Sequence, residues 1–404
     1  MPRPARPFSP AARNAEVPRL SVGILAHSGK ENERRLPIHP RHFADIDAEL
    51  RPLIQLEHGY GEHFGVTDAD LLPLVGRIAS RAELIADCDV ILLPKVQAAD
   101  LLEMRVGQTI WGWPHCVQDA ELTQIAIDRR LTLIAFEAMN HWTEDGRFAL
   151  HVFHKNNELA GYCSVLHALE LAGKTGDYGR RLKATVIGFG ATARGAVTAL
   201  NAHGVGEVYV LTNRDVAAVG SPIHGTQIVQ LEYGECGDPA SMSAQTPDGR
   251  VSVAEFLGGN DIIVNCVLQN TDMPLTFLDD GDLTGFEAGS IIIDVSCDEG
   301  MGFSWARPTT FTEPSFTVGN NVLYYAVDHS PSYLWDSATW EISSALLPHL
   351  SVIMDGPSAW DRTPVISRAI EIREGVILNP SILSFQDRAA GYPHALAVDQ
   401  QAVG

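Results

Sequence analysis

Hydrophobic positions follow two rhythms along this chain. Short apolar runs bounded by polar or Gly/Pro-containing stretches read as buried strands, and longer segments with apolar residues three and four apart read as helices packed by one face. In the first part, runs at 20–25, 53–56, 90–93, 109–113 and 131–136 predict strands. Segments 40–50, 80–87 and 120–129 predict helices, the second capped by Ser80. A longer helical pattern covers 154–171. Beyond it, 184–187 and 208–211 read as strands, 227–231 as a possible strand, and 234–250 as a polar excursion containing Gly and Pro. Two strongly apolar runs, 261–267 and 290–295, are further buried strands. The stretch 324–332 then turns into a second long helix, with Leu334, Ala338, Ile342, Ala345 and Leu346 on its apolar face.

Strands alternating with helices predict an α/β protein with largely parallel sheets. In such sheets ligands sit outside the carboxyl ends of the strands, so residues just after strands carry the chemistry. The stretch 183–214 reads strand, Gly188-Phe189-Gly190-Ala191-Thr192-Ala193, helix, strand. That order is the dinucleotide-binding unit: Gly188 for a tight turn, Gly190 for close approach to a pyrophosphate, Ala193 for close helix packing. The free N–H groups and positive dipole end of the helix face the phosphates. After the second strand, where a carboxylate would hold the ribose of NAD, the chain has Thr212-Asn213-Arg214. With a guanidinium and two small polar groups there, NADP(H) is expected over NAD(H). Asn265, in the run 261–267, is a further expected cofactor contact.

Insertion of this unit between two long helices predicts a chain that returns to its first domain to finish. The expected organisation is a disordered Pro- and Arg-rich tail (1–17), a catalytic domain (18–155 plus 330–404) and a nucleotide domain (156–329), with substrate in the cleft between them. A net charge of −21 argues against nucleic acid or an anionic membrane as partner, and no apolar run is long enough to span a bilayer. Six scattered cysteines without C-x-x-C spacing read as reduced thiols, with a cytoplasmic location expected.

Three candidates for chemistry follow first-domain strands: Arg35 in KENERRLPIHP, Lys95 after DVILLP and His115 after TIWGWP. A Lys and a His at strand ends make an acid/base pair, and an Arg clamps a carboxylate. Each also has an ordinary reading, as a solvated loop charge or a turn cap. His151, His154 and Glu158 have a spacing that a metal site could use, but a solvated helix face explains them without one, and no metal is expected.

The segments KENERRLPIHP, LLPKVQ, GQTIWGWPH, KNNELAGY, VIGFGATARGA, IIIDVSCDEG and YYAVDHSPS together resemble the alanine dehydrogenase/pyridine-nucleotide transhydrogenase superfamily. Within it the chain looks most like carboxyethyl-ornithine synthase and lysine-forming saccharopine dehydrogenase. The resemblance implies two Rossmann-like domains, the first discontinuous, with hydride transfer in the cleft. It implies Lys95, His115 and Asp298 as catalytic residues, Arg35 as the ligand of a substrate carboxylate, and Asp298 also as a cofactor contact beside the nicotinamide. The chain departs from alanine dehydrogenases at Pro94-Lys95-Val96-Gln97, where they read K-x-K-E-P, and at Thr212, where they carry an aspartate. Asp328-His329-Ser330-Pro331-Ser332 is closer to the D-H-x-P-[ST] stretch of saccharopine-type enzymes.

The expected activity is therefore NADPH-dependent condensation of a 2-oxo acid with the side-chain amine of a basic amino acid such as ornithine or lysine. The partners are small molecules, and a homo-oligomer is expected. Two alternatives are oxidative deamination of a small amino acid and a nucleotide-binding regulatory protein without turnover.

Overall fold

The computed structural model describes residues 18–214, 225–233, 241–269 and 273–396. The expected tail and Cys236 lie outside these residues. Six strands of the first domain are parallel: β1 (Val22–Ile24), β2 (Ile54–Glu57), β3 (Arg77–Ala79), β4 (Val90–Lys95), β5 (Thr109–Trp113) and β6 (Thr132–Ala135). They lie side by side in the order β6-β5-β4-β1-β2-β3. The order reverses direction between β1 and β4, the crevice where open α/β sheets bind ligands. A hairpin of β7 (Asn140–Trp142) and β8 (Phe148–His151) leads into the 154–171 helix.

The second sheet has nine strands. Its parallel centre is β11 (Thr226–Glu232), β10 (Glu207–Thr212), β9 (Lys183–Ile187), β14 (Ile262–Asn265), β16 (Ile291–Asp294) and β19 (Val322–Tyr325). Antiparallel strands β12 (Ser243–Thr246) and β13 (Gly249–Ser252) extend one edge, and β18 (Ser315–Val318) extends the other. A short pair, β15 (Thr276–Leu278) with β17 (Gly302–Phe303), lies outside it. The chain then returns to the first sheet, where β20 (Ile370–Arg373) pairs antiparallel with β6 and with β21 (Val376–Ile377). The first unit is thus discontinuous. Each sheet carries a buried apolar layer on both faces, as expected for strands that read as unbroken apolar runs.

Three expectations need correction. The segment 40–50 is not an α-helix: only Pro40–Asp45 coils, as a 3-10 turn ended by an i−3 bond from the Ile46 N–H to the Phe43 carbonyl (3.4 Å). Ile46 is then extended and 4% exposed, because its burial in the core outweighs helix continuation. The excursion at 234–250 is not only loop. Its described part, 241–250, carries β12 and the start of β13, whose ladder satisfies the backbone of a polar sequence with little apolar pattern to reveal it. Its first residues, 234–240, lie outside the described ones. Finally, the edge and hairpin strands β3, β7, β8, β18 and β21, the short pair β15 and β17, and β19 and β20 within the sheets were not anticipated, because pairing partners supply what periodicity does not.

The elements that place the glycine turn touch backbone to backbone. Helices His154–Leu171 and Ala191–Ala202 cross at two glycines. A Cβ on Gly195 would lie 1.7 Å from the Glu158 carbonyl oxygen, and one on Gly161 would lie 2.0 Å from that of Thr192. The Ser80 cap is present as a full capping box with Glu83.

Candidate active site

The glycine turn opens onto a cavity of about 750 Å³, lined among others by Gly188, Gly190, Thr192, Asn213, Arg214 and Val267. Gly188 has φ +102°, and a Cβ there would come within 3.2 Å of the Cys266 carbonyl. Glycine is therefore required by the backbone itself. Gly190 is different: a Cβ would meet no protein atom within 4 Å, so the space it leaves belongs to the cavity. It caps the 191–202 helix, whose first N–H groups have no intrahelical acceptor. Ala193 is 1% exposed and packs in the domain core. These features fit a dinucleotide pyrophosphate.

Of two expected contacts, Thr212 lines this cavity while Asn265 is spent inside the domain. Thr212 is 2% exposed, and its Oγ1 accepts the Arg214 N–H (3.2 Å), so its hydroxyl closes the turn that presents Asn213 and Arg214. Asn265 is 0% exposed; its Nδ2 donates to Asp294 (3.0 Å) and its Oδ1 accepts the Val267 N–H (3.2 Å). Its amide positions the strand ends and does not face the cavity. Tyr324 completes this knot by donating to Asp294 at 2.7 Å. His151, His154 and Glu158 line the same cavity, so they are not simply a solvated face. His151 bonds the Glu137 carbonyl (3.2 Å), and Glu158 pairs with Lys155 (2.8 Å). Among the described residues no group of three or more His, Cys, Asp or Glu side chains could hold a metal.

Across the cleft, Lys95 is the last residue of β4, and His115 lies two residues past the end of neighbouring β5. Parallel strands bring both to the same edge. His115 has φ +50°, a left-handed conformation uncommon outside glycine, and its N–H is held by Glu137 Oε1 at 2.7 Å. Its side chain is 43% exposed. Crowding by protein, and then the charge of Lys95, push its pKa well below the usual histidine range. Burial also lowers Lys95, with Asp328 opposing the shift. Both shifts favour the forms that accept a proton.

The first loop adds three charges. Lys30 pairs with Asp328 at 2.8 Å. Arg35 grips Glu33 with two bonds, Nε to Oε1 at 2.8 Å and Nη2 to Oε2 at 2.5 Å. One edge of the guanidinium is therefore committed inside the protein. The other, Nη1, is 3.4 Å from Asn156 Oδ1.

The 328–332 stretch locks the two units together. Asp328 reaches Lys30 and, at 4.0 Å, Lys95, which with His329 hold its carboxyl far below the ordinary range against burial. His329 meets Asp328 through Nδ1 (2.6 Å) and the Glu31 carbonyl through Nε2 (2.5 Å). Ser332 donates to Glu33 at 2.8 Å. On the cofactor side Asp298 accepts from Gln118 of the first unit at 3.2 Å, and burial raises its pKa to about 6 despite that bond.

Lys95 and His115 thus stand at neighbouring strand ends, the charges of Arg35 and Lys30 act on His115, and Asp298 meets the first unit through Gln118. Lys30, Glu33, Gln118 and Glu137 were missed. Glu137 follows a strand that the sequence shows, and the rule that chemistry follows strands would have found it. Lys30 and Glu33 sit in the same loop as Arg35, but nothing in their spacing separates them from solvated charges.

Residues 23–160 match the family model described as alanine dehydrogenase/PNT, N-terminal domain, and residues 172–380 match its C-terminal domain counterpart. The alanine dehydrogenase of Mycobacterium tuberculosis is 25% identical over 377 residues, covering 90% of this chain and 96% of that protein. The N(5)-(carboxyethyl)ornithine synthase of Lactococcus lactis is 23% identical over 338 residues, 81% of this chain and 93% of that one. Among solved structures, an L-alanine dehydrogenase superposes with TM-score 0.68 at 18% identity, covering 91% of this chain and 99% of that one. A transhydrogenase from Sinorhizobium meliloti superposes with TM-score 0.65 at 18% identity, covering 89% and 99%. These two share the fold.

Proposed function

The chain belongs to the alanine dehydrogenase/PNT family, and on that premise we propose that it is an NADPH-dependent reductase joining a 2-oxo acid to the side-chain amine of a basic amino acid. The observation that carries this reading is the cleft itself. Two proton-accepting groups, Lys95 and His115, stand at one strand edge, and Asp298, which makes no ion pair among the described residues, stands at the cofactor edge. An unpaired carboxylate there suits a cationic amine. The D-H-S-P-S stretch that holds Lys30 and Lys95 supports a condensing reaction over plain deamination.

In this reading the Nη1 edge of Arg35, whose bond to Asn156 is a long 3.4 Å, turns to the oxo-acid carboxylate and with Lys30 orients its carbonyl. Attack by the amine gives a carbinolamine, and His115 takes the proton released from nitrogen. Lys95, which first takes the proton the cationic amine loses to become a nucleophile, and His115 return these two protons to oxygen as water leaves, giving the protonated imine. The reduced nicotinamide, when bound, supplies the hydride to the imine carbon. Gly188, Gly190 and the start of the 191–202 helix would hold its pyrophosphate.

Arg214 lines the cavity just after β10 and is the group assigned in this reading to a 2′-phosphate. NADPH is expected to bind at least about tenfold more tightly than NADH, and Arg214→Ala to remove most of that difference. Dissociation constants for both cofactors check this; equal values in the unaltered protein would mean that Arg214 reads no phosphate.

A second reading, reductive amination of a small oxo acid by ammonia, is favoured by the alanine dehydrogenases among its relatives. The two are separated by supplying NADPH, pyruvate and either ornithine, lysine or ammonia, and identifying the product by mass spectrometry. A secondary amine uniting both substrates supports the condensing reading. Free alanine made at comparable efficiency from ammonia replaces it with the second.

A further inference from the structure

Beneath His115 lies a pair of carboxylates, only one of which has so far been given a role. Glu137 follows β6 in the single turn Phe136–Ala138. Its Oε1 holds the His115 N–H at 2.7 Å and lies 3.8 Å from the Nδ1 of that ring. Its Oε2 is shut from solvent and has no hydrogen-bond partner. Glu371, on β20, is 5% exposed. Its Oε1 accepts from Asn379 Nδ2 at 3.0 Å, and the Cys116 thiol also bonds to it. Its Oε2 is likewise buried without a partner.

A strand irregularity brings Glu371 to this place. Ile370 lies opposite Ile134, yet Ile372 lies opposite Leu133, so β20 carries one more residue than β6 between the two pairs. Ile370 and Ile134 belong to one apolar layer of the sheet, and Ile372 and Leu133 to the other. In a regular strand, residues two apart share a face. The bulge turns the chain over at Glu371 and re-aims its side chain, as bulges beside active sites do.

Buried carboxylate oxygens without a donor are rare because they lose solvation and gain nothing. The two acids flank one segment, Glu137 on the His115 N–H and Glu371 on the neighbouring Cys116 thiol, and a proton held between them would serve both oxygens. We propose that Glu137 and Glu371 share a single proton, and that Glu371 is a positioning residue which, through Glu137, keeps His115 neutral and in place. Burial raises both acids, and the charge of Glu371 adds to it at Glu137, which is the direction that retains the proton.

The surroundings are consistent with this. Lys95, from the end of β4, is the cation acting on Glu137; Cys116 and His115 face the pair from the loop after β5, and His151 bonds the Glu137 carbonyl. Around His115, Lys95, Arg35 and Lys30 favour the neutral ring, and Asp328 opposes them. With one proton on the pair, Glu137 accepts the His115 N–H without placing a full second charge beneath the ring.

The catalytic consequence rests on the proton-transfer role proposed for His115; the proton pair itself does not. Infrared difference spectra of the full-length protein with NADPH, recorded at neutral pH, are expected to show the C=O band of a buried protonated carboxyl. In Glu371→Gln the amide donates to Glu137, the band disappears, and Glu371→Asp restores it. His115, followed by NMR of histidine-labelled protein and assigned against His115→Asn, is expected to titrate about one pH unit higher in Glu371→Gln, since a full carboxylate then lies beside it. The acid limb of the pH–turnover profile moves by the same amount. Absence of the band in the unaltered protein overturns the proposal whether or not the variant folds, as does a His115 midpoint unmoved in Glu371→Gln. A midpoint that moves while turnover keeps its pH profile confirms the pair and removes His115 from the chemistry.

Discussion

Removing either proton-transfer group is expected to lower turnover by about a hundredfold or more, about 2.7 kcal/mol of transition-state stabilisation, while NADPH binding stays nearly intact. The structure indicates which substitutions isolate the chemistry. His115 has φ +50°, so His115→Asn is the cleaner variant, because asparagine tolerates the left-handed region and keeps the N–H bond to Glu137. Lys95→Met keeps the aliphatic stem and removes the charge. Asp328 remains held by Lys30 at 2.8 Å and His329 at 2.6 Å in that variant, so no bare buried carboxylate is created. Both residues lie across the cleft from the glycine turn, which is why cofactor affinity is spared. Steady-state turnover with NADPH titrations checks both. Near-normal turnover in either variant would withdraw that residue's acid/base role.

The second large effect concerns Gly195 and Gly161. At an ordinary helix interior, Gly→Ala stabilises by about 1 kcal/mol. Here the sign is expected to reverse, with a loss of about 3 kcal/mol or more, because the obstructing atoms are backbone and no rotamer change relieves them. The added methyl would lie 1.7 Å from the Glu158 oxygen for Gly195→Ala and 2.0 Å from the Thr192 oxygen for Gly161→Ala. Forcing the helices apart also tilts the 191–202 helix, so cofactor affinity falls with stability. Gly190→Ala is the contrast: the added methyl meets no protein atom within 4 Å, so stability holds and only dinucleotide binding weakens. Chemical denaturation with cofactor titration separates the three. A stabilised Gly195→Ala would show that the crossing can open freely.

Much of this was legible before any coordinates. The strands at 90–93 and 109–113, the helix at 154–171 and the strand–glycine–helix unit at 183–202 all appear close to where their apolar periods put them. Lys95 and His115 could be singled out by a general rule, that residues just past parallel strands face the ligand. The same rule offered Arg35 as a carboxylate clamp, and the place of Asp298 came from resemblance in short motifs. Neither source distinguished a side chain that faces the cavity from one spent on the scaffold: Thr212 and Asn265 both stand at strand ends in the sequence, yet Thr212 lines the cavity and Asn265 is consumed by internal bonds.

Local order is set over a few residues, and apolar period, caps and glycine turns encode it along the chain. From them the sequence alone determined an α/β protein with a dinucleotide unit and a catalytic half whose strand ends carry a lysine and a histidine. What only the tertiary structure decided is which distant groups meet. The Arg35–Glu33 grip, the reach of Asp328 to Lys30 and Lys95, the backbone crossing at Gly161 and Gly195, and the bulge that sets Glu371 near Glu137 join residues whose spacing carries no signal. Charge, hydrogen-bond satisfaction and proton affinity depend on distances of a few ångströms, and the fold fixes those distances.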